Sequence, residues 1–174
     1  MVKEQLELRD KILGWLADED YEVKIDAPPP NAPIDWIIRA TSKVPLRANI
    51  IIQQPKTKKD RIVITLGVMI SDHHKRGLKD LKVQERAEII YNLLSDLQSI
   101  CPECLILAQP SYLEPESFVF TKLVYHESLE RQAFLDSIRK LVNMFSMLVI
   151  GLSSRFGPFK QVQKRSDYEN MGYI

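Results

Sequence analysis

The sequence predicts an α+β fold in which an antiparallel sheet of five or six strands is packed by helices. Apolar residues recur every three or four positions near both ends of the chain and in its middle, which is typical of amphipathic helices. Between these segments stand runs rich in β-branched residues, with breaks too short to hold a crossover helix. The order of helix, strands, helix, two strands and helix therefore favours an antiparallel layer over alternating βαβ units.

The first half of the chain is predicted to hold one helix and four strands. Apolar residues at helical spacing predict an amphipathic helix over residues 3–18. Alternating or β-branched runs predict strands at 21–25, 36–41, 47–54 and 61–70. Because the last of these runs is apolar on both alternating faces, we expect it to lie centrally in the sheet with cover on each side.

Two helices are predicted in the middle of the chain. Ser71 stands where it can cap a short helix. A longer helix follows and ends before Pro102, because a proline restricts the residue that precedes it. Its apolar residues, spaced by three and four, are Val83, Ala87, Ile90, Leu94, Leu97 and Cys101.

A hairpin and a last helix complete the predicted domain. Strands are expected at 104–109 and 118–125, and Ser128 is expected to cap a helix that ends at Gly157 and Pro158. The polar segment that follows has no sustained period. We therefore predict a single domain over residues 1–158 and a C-terminal tail over residues 159–174.

Composition excludes some classes of function and disfavours others. Lys and Arg number 24 against 23 Asp and Glu, so no net field draws the chain to nucleic acid or anionic lipid. The most apolar run, 141–152, is much shorter than the roughly 20 residues that span a bilayer, so no membrane segment is expected. The polar N-terminal segment does not resemble a signal peptide, and two cysteines cannot build a secreted disulfide framework. We therefore expect a cytoplasmic protein.

Cys101 and Cys104 form a Cys-x-x-Cys motif, the most specific pattern in the chain. Two thiols at this spacing can close a disulfide, supply half of a zinc site or serve as buried structural side chains. Thioredoxin-type motifs open a helix, whose N-terminal dipole stabilises the thiolate, whereas this pair lies where a helix ends. The placement favours structural cysteines, and a disulfide or a metal site remains the alternative.

His73 and His74 are the other candidates for metal binding. Neighbouring helical residues point about a quarter-turn apart, and no third ligand stands at an HExxH-like spacing. Surface or boundary positions are therefore favoured over metal binding or acid–base work. The glycines supply no nucleotide-binding or nucleophile-elbow motif, so the sequence predicts no catalytic residue and no cofactor, and it favours a protein that is not an enzyme.

The last predicted helix carries more apolar surface than one sheet face can cover. Apolar residues between 141 and 150 occupy more than one side of it, and methionines among them suit irregular contacts. We therefore predict a partner-binding surface on this helix, in a homodimer or against a protein client. Its residues are Phe145, Leu148, Val149 and Leu152.

Four stretches of the first half carry a resemblance to a known family: Tyr21-Glu22-Val23, Pro33-Ile34-Asp35-Trp36, Ile50 to Lys56, and Ile70-Ser71. The chain resembles an archaeal family known as domain of unknown function 2299, over most of its first 155 residues. That family has no assigned activity. The element order also resembles the type III secretion chaperone-like fold, whose members form dimers and hold extended segments of client proteins.

Together these patterns favour a non-catalytic protein-interaction or chaperone-like module. The first alternative is a metal- or redox-linked enzyme or sensor that uses the Cys-Pro-Glu-Cys motif. The second is a nucleic-acid accessory protein, for which the basic stretches 56–59 and 73–79 offer phosphate contacts but no interleaved aromatic residues.

Overall fold

The structure, a computed structural model, describes residues 2–43 and 47–158 and confirms the predicted α+β class. Within those residues the chain forms four α-helices: α1 (Val2–Asp18), α2 (Asp72–Lys79), α3 (Val83–Ile100) and α4 (Arg131–Phe156). It also forms six strands: β1 (Glu22–Asp26), β2 (Ile34–Thr41), β3 (Asn49–Pro55), β4 (Arg61–Met69), β5 (Leu105–Pro110) and β6 (Pro115–Tyr125). Residues 159–174, predicted as a tail, lie outside the described residues.

The six strands form one antiparallel sheet in the order β1-β2-β3-β4-β6-β5. The first four strands make the predicted meander, because each pairs with the strand before it in the chain. The second hairpin then joins through β6 and leaves β5 at the edge. Since β6 lies beside β4, the backbone N–H of Ile70 donates to the carbonyl of Glu116 at 2.9 Å.

The described residues group into two compact units. The first combines the residues up to Leu66 with Thr121–Val142, and the second combines Gly67–Phe120 with the residues from Asn143 onward. Each unit has its own buried apolar residues.

The core of the first unit lies on one face of β2, β3 and β4. Alternation brings Ile38, Ile52 and Ile64 into register across the three strands, and all three are fully buried. Ile12 of α1 is fully buried as well, and the rings of Trp15 and Phe134 lie 5.6 Å apart. Burial of each such side chain contributes roughly 1.5–3 kcal/mol, so this face stabilises the unit.

The opposite face of β4 differs from the prediction. Ile62, Ile64 and Leu66 are buried, whereas Val63 and Thr65 on the alternate face are only half-buried. β4 is central in the sheet, as expected. The prediction that both of its faces are fully covered was wrong, because the described helices do not fully bury the face that carries Val63 and Thr65.

A buried glutamine closes the turn between β3 and β4. The Nε2 of Gln54 lies within hydrogen-bond distance of the carbonyls of Pro55, Lys58 and Arg61, at 3.3, 3.1 and 2.9 Å. Its Oε1 accepts a hydrogen bond from Nε2 of His126 at 3.1 Å. Burial lowers the pKa of His126, although the nearby Asp60 carboxylate acts in the opposite direction. Gln54 thus provides a hydrogen-bond donor to backbone carbonyls around the turn.

The second unit begins with the helix cap that the sequence predicts. The Oγ of Ser71 accepts a hydrogen bond from the backbone N–H of His74 at 3.3 Å, which satisfies one donor at the N-terminus of α2. α4 ends at Phe156, before Gly157, as predicted. Ser128 was predicted to cap this helix, but it ends a 3₁₀ turn over His126–Ser128, and the helix begins at Arg131.

The buried side of α3 is rotated from the predicted stripe. Arg86, Ile90, Leu93 and Leu97 are buried, whereas Val83 of the predicted stripe is 61% exposed. Gly151 of α4 allows the two helices to approach here, because a Cβ at that position would lie 2.9 Å from Cδ1 of Leu93. A charged residue therefore takes the place of an apolar one on the core side of α3.

Among the described residues, no helix is both long enough and apolar enough to cross a membrane.

Candidate functional site

A small cleft in the second unit gathers the charged residues of three separate segments. It has a volume of about 60 Å³ and opens between the two middle helices and the connection from β5 to β6. Three cationic side chains, two carboxylates, two prolines and one leucine line it: Lys75, Lys79, Arg86, Glu114, Glu116, Pro110, Pro115 and Leu78. We call this feature the cationic cleft.

Arg86 is the central residue of the cationic cleft. It begins the stripe that continues with Ile90 and Leu93, and only 7% of it is exposed. Its Nη1 donates a hydrogen bond to Oε1 of Glu114 at 3.0 Å. Its Nε is buried and has no hydrogen-bond partner among the described residues. An unpaired buried donor costs roughly 1–3 kcal/mol, more when it is charged, so an additional acceptor would stabilise this side chain.

Two lysines of α2 add positive charge to the same cleft. Lys75 and Lys79 are four residues apart, so they lie on one side of the helix, with the buried Leu78 beside them. Lys75 also lies 3.5 Å from Asp72, whose side chain is 91% exposed. A contact of that kind is weak in water and leaves the ammonium able to attract another anion.

The connection between β5 and β6 carries the carboxylate that faces Arg86. The Gln109–Pro110 peptide bond is cis, and the hydroxyl of Tyr112 donates to the carbonyl of Ile106 at 2.8 Å. The backbone N–H of Glu114 donates to Oγ of Ser111 at 3.1 Å. The backbone of Glu114 is therefore held in place, while its side chain is 57% exposed.

The arrangement of charges in the cationic cleft suits the binding of an anion. Of the described residues that line the cleft, none carries a thiol, a hydroxyl or an imidazole. Guanidinium and ammonium groups recognise carboxylate and phosphate oxygens through charge-assisted hydrogen bonds. The cationic cleft can thus hold an anion, but its lining supplies no nucleophile of those kinds.

Sequence analysis missed this cleft. The stretch 73–79 was considered only as a source of phosphate contacts in a nucleic-acid accessory protein, and Glu114 and Glu116 were not singled out. One signal was present, because Arg86 stands four, seven and eleven positions before Ile90, Leu93 and Leu97. A charged residue in phase with an apolar stripe marks a buried charge that needs a partner.

His73 and His74, which belong to α2, contact the C-terminal end of α4. His73 donates through Nε2 to the carbonyl of Phe156, and Nε2 of His74 donates to the carbonyl of Gly157 at 3.1 Å. His74 is 3% exposed, so it is more deeply buried than predicted. Both rings thus donate through Nε2 to carbonyls at the C-terminal end of α4. A nitrogen that binds a metal must instead offer a lone pair, so these two nitrogens are engaged as donors and not as ligands.

The two cysteines are joined by a disulfide. Their Cα atoms are 5.3 Å apart, and Cys101 and Cys104 are 0% and 6% exposed. They lie between the end of α3 and the start of β5, as the motif's position predicted. Within the part of the chain that the structure describes, no group of three or more His, Cys, Asp or Glu residues is placed to hold a metal ion.

The residues predicted to bind a partner on α4 separate into two pairs. Leu148 and Leu152 are buried at 1% and 3% exposure, whereas Phe145 and Val149 are half-buried. The more exposed apolar residues nearby are Met147 at 37% and Ile150 at 62%. We call Phe145, Met147, Val149 and Ile150 the α4 surface.

Comparisons with known proteins give a family and a fold. The model of a family described as "Uncharacterized conserved protein (DUF2299)" matches residues 8–152. No curated protein matches the chain. A crystal structure of an uncharacterized protein from Methanothermobacter thermautotrophicus superposes with a TM-score of 0.73 at 20% identity, over 86% of this chain and 99% of that one. At this identity the likeness shows a shared fold.

Proposed function

The chain belongs to the DUF2299 family of uncharacterized conserved proteins, and we propose that it is a non-catalytic protein-interaction module that pairs with a second copy of itself. The observation that carries the proposal is Ile150, which is 62% exposed in the interior of a 26-residue helix. Met147 lies one turn before it on the same side. A second α4 surface would remove both side chains from water.

The chemistry of the α4 surface favours a second copy as its partner. In a two-fold symmetric contact, the same patch serves both subunits, so apolar residues of one helix meet apolar residues of the other. A single pair of helices buries less than the roughly 800 Å² per partner found in stable complexes. We therefore expect a dimer whose population depends on protein concentration.

The element order supports the choice of a protein as partner. The order of helix, strands, helices, two strands and helix resembles the type III secretion chaperone-like fold, and we propose that the chain adopts this fold. A fold hosts many functions, so the likeness supports a protein as the partner only in combination with the exposed α4 surface. A chaperone-like dimer would present its clients with two copies of each binding surface.

We also propose that the protein acts in the cytoplasm. The small number of cysteines supports this location. The disulfide between Cys101 and Cys104 is the feature that tests it, because cytoplasmic thiols are normally kept reduced. Both sulfurs lie in buried residues, which favours a structural bond over a redox centre.

The molar mass in solution tests the proposed dimer. Light scattering during gel filtration should give a mass that rises from one chain towards two as micromolar protein is concentrated. Ile150→Glu should shift this transition to higher concentration, because it places a charge in the contact while its exposure keeps the fold intact. Leu6→Glu is the matched control, an exposed apolar residue of α1 at 43%. A strictly monomeric wild type, or equal effects of the two variants, would contradict the proposal.

A further inference from the structure

We propose that the cationic cleft binds a small oxyanion of carboxylate or phosphate size. This inference goes beyond the proposed protein interaction and does not depend on it, because none of the residues that line the cleft belongs to the α4 surface. Three features of the cleft carry it: an incompletely paired arginine, a surrounding excess of positive charge, and a carboxylate that already occupies part of the site.

The first step is the state of Arg86. Its side chain is 9% exposed, so water satisfies few of its donors. Nη1 is paired with Glu114, but the buried Nε has no partner among the described residues. A guanidinium binds oxyanions best when two parallel N–H groups point at two oxygens. An entering oxyanion would supply acceptors that Glu114 alone does not.

The second step is charge and size. Lys75, Lys79 and Arg86 face Glu114 and Glu116, which leaves a net positive charge in the cleft. A volume of about 60 Å³ holds only a few water-sized groups, roughly four by the volume one water needs. The cleft therefore has room for one phosphate or carboxylate, and is too small for a nucleotide.

The third step is the position of Glu114. Its carboxylate contacts Arg86 at 3.0 Å, yet 57% of its side chain is exposed. Such a side chain can rotate into water when an entering oxyanion takes over its pairing with Arg86, which remains buried. Glu114 thus occupies the place that the oxyanion takes, and it competes with the ligand for the same guanidinium.

A titration with defined anions tests the inference on the full-length protein. Inorganic phosphate, acetate, and N-acetyl-glycylglycine with a free or amidated C-terminus are added at constant ionic strength. The ¹⁵N–¹H signal of the Arg86 Nε reports binding directly. We expect phosphate, acetate or both to shift this signal saturably, and the amidated peptide to leave it unchanged. If the peptide with a free C-terminus binds more tightly than acetate, the natural ligand is a carboxylate carried by a protein. If it binds equally or more weakly, the natural ligand is a small anion in solution.

Three variants and a control assign the binding to the cleft. Lys79→Met should weaken the affinity for the anion about two- to fivefold, because it removes a positive charge that attracts the anion. Glu114→Gln should strengthen the affinity by a similar factor, because it removes a carboxylate that competes for Arg86. Arg86→Met should abolish saturable binding, which phosphate-induced shifts of the neighbouring backbone amides report. Lys59→Met removes an exposed lysine of the β3–β4 turn and should change nothing. Absence of binding by phosphate, acetate and peptide, a response to the amidated peptide, or an equal loss in Lys59→Met and Lys79→Met would overturn the inference.

Discussion

The Nη1 of Arg86 donates a hydrogen bond to Oε1 of Glu114 at 3.0 Å, which joins a nearly buried guanidinium to a carboxylate that is 57% exposed. The two partners therefore experience very different environments. A buried ion pair contributes little to the stability of the fold, because the loss of hydration offsets much of the attraction between the ions. The pair is better explained as a site that is preformed for an anion than as an element that stabilises the protein.

Arg86→Met should leave the free energy of unfolding unchanged or raise it by about 1 kcal/mol. Methionine continues the apolar stripe of Ile90 and Leu93, and replacement of a buried ion by an apolar side chain is often neutral or stabilising. Glu114→Ala, by contrast, leaves the guanidinium buried and unpaired, and should lower the free energy of unfolding by about 1–3 kcal/mol. Urea denaturation of both variants measures this difference. A large loss in Arg86→Met would assign the arginine to the fold and not to a ligand.

Gln54→Leu should lower the free energy of unfolding by about 2–4 kcal/mol. The substitution removes the amide that reaches three backbone carbonyls and the oxygen that accepts from His126, so each of these groups would lose its hydrogen bond to Gln54. Gln53→Leu is the matched control, because Oε1 of this half-buried neighbour has no hydrogen-bond partner among the described residues. Urea denaturation should show little change for the control, and similar losses in both variants would be inconsistent with a special role of Gln54.

The imidazole of His126 should titrate below its usual pKa of about 6.5. Burial disfavours its cationic form in the folded protein, so the unfolded chain binds the proton more tightly. The free energy of unfolding contributed by His126 is then fully present above pH 6.5 and falls as the pH drops through 6.5 towards the lower, folded value. An NMR titration of the ring protons measures the pKa directly, and a midpoint at or above 6.5 would show that burial does not dominate.

Reduction of the Cys101–Cys104 disulfide should lower the free energy of unfolding by about 2 kcal/mol. The bond closes a loop of only four residues, so the entropy it removes from the unfolded chain is small. Urea denaturation with and without a phosphine reductant measures the change, and the double variant Cys101→Ala and Cys104→Ala serves as the control that should not respond.

Thiol alkylation of the protein in freshly lysed cells then reports whether the bond exists in the cell. Fully alkylated cysteines would place the protein in a reducing compartment.

Much of the fold was predictable because its signals are local. Alternation placed the strands within a few residues of their observed bounds, and Ser71 was correctly identified as a helix cap because its side chain acts on a backbone group three residues away. The cap of α4 was predicted two residues too early, because a serine that bonds to Tyr125 in a 3₁₀ turn resembles a helix cap in sequence. The insertion of β6 between β4 and β5 was not predictable, since the pairing joins strands that are far apart in the chain.

The site was less predictable because it depends on contacts between distant segments. Arg86 and Glu114 are 28 positions apart, and the sequence contains no pattern that links them. The predicted stripe on α3 included Val83 and Leu94, so it was centred away from Arg86 and concealed the buried charge. On α4, periodicity identified an apolar helix correctly, but it could not separate the buried Leu148 from the exposed Ile150, because the extent of cover is set by tertiary packing.

The most direct test of the proposed interaction is a nuclear Overhauser measurement on a mixed dimer. One copy carries ¹³C-labelled methionine and isoleucine methyl groups, and the other is unlabelled. We predict intermolecular contacts from the methyl groups of Met147 and Ile150 to the α4 surface of the other copy, and their loss in Ile150→Glu. A dimer whose intermolecular contacts lie elsewhere, or a sample in which none is seen at concentrations where light scattering reports two chains, would contradict the account.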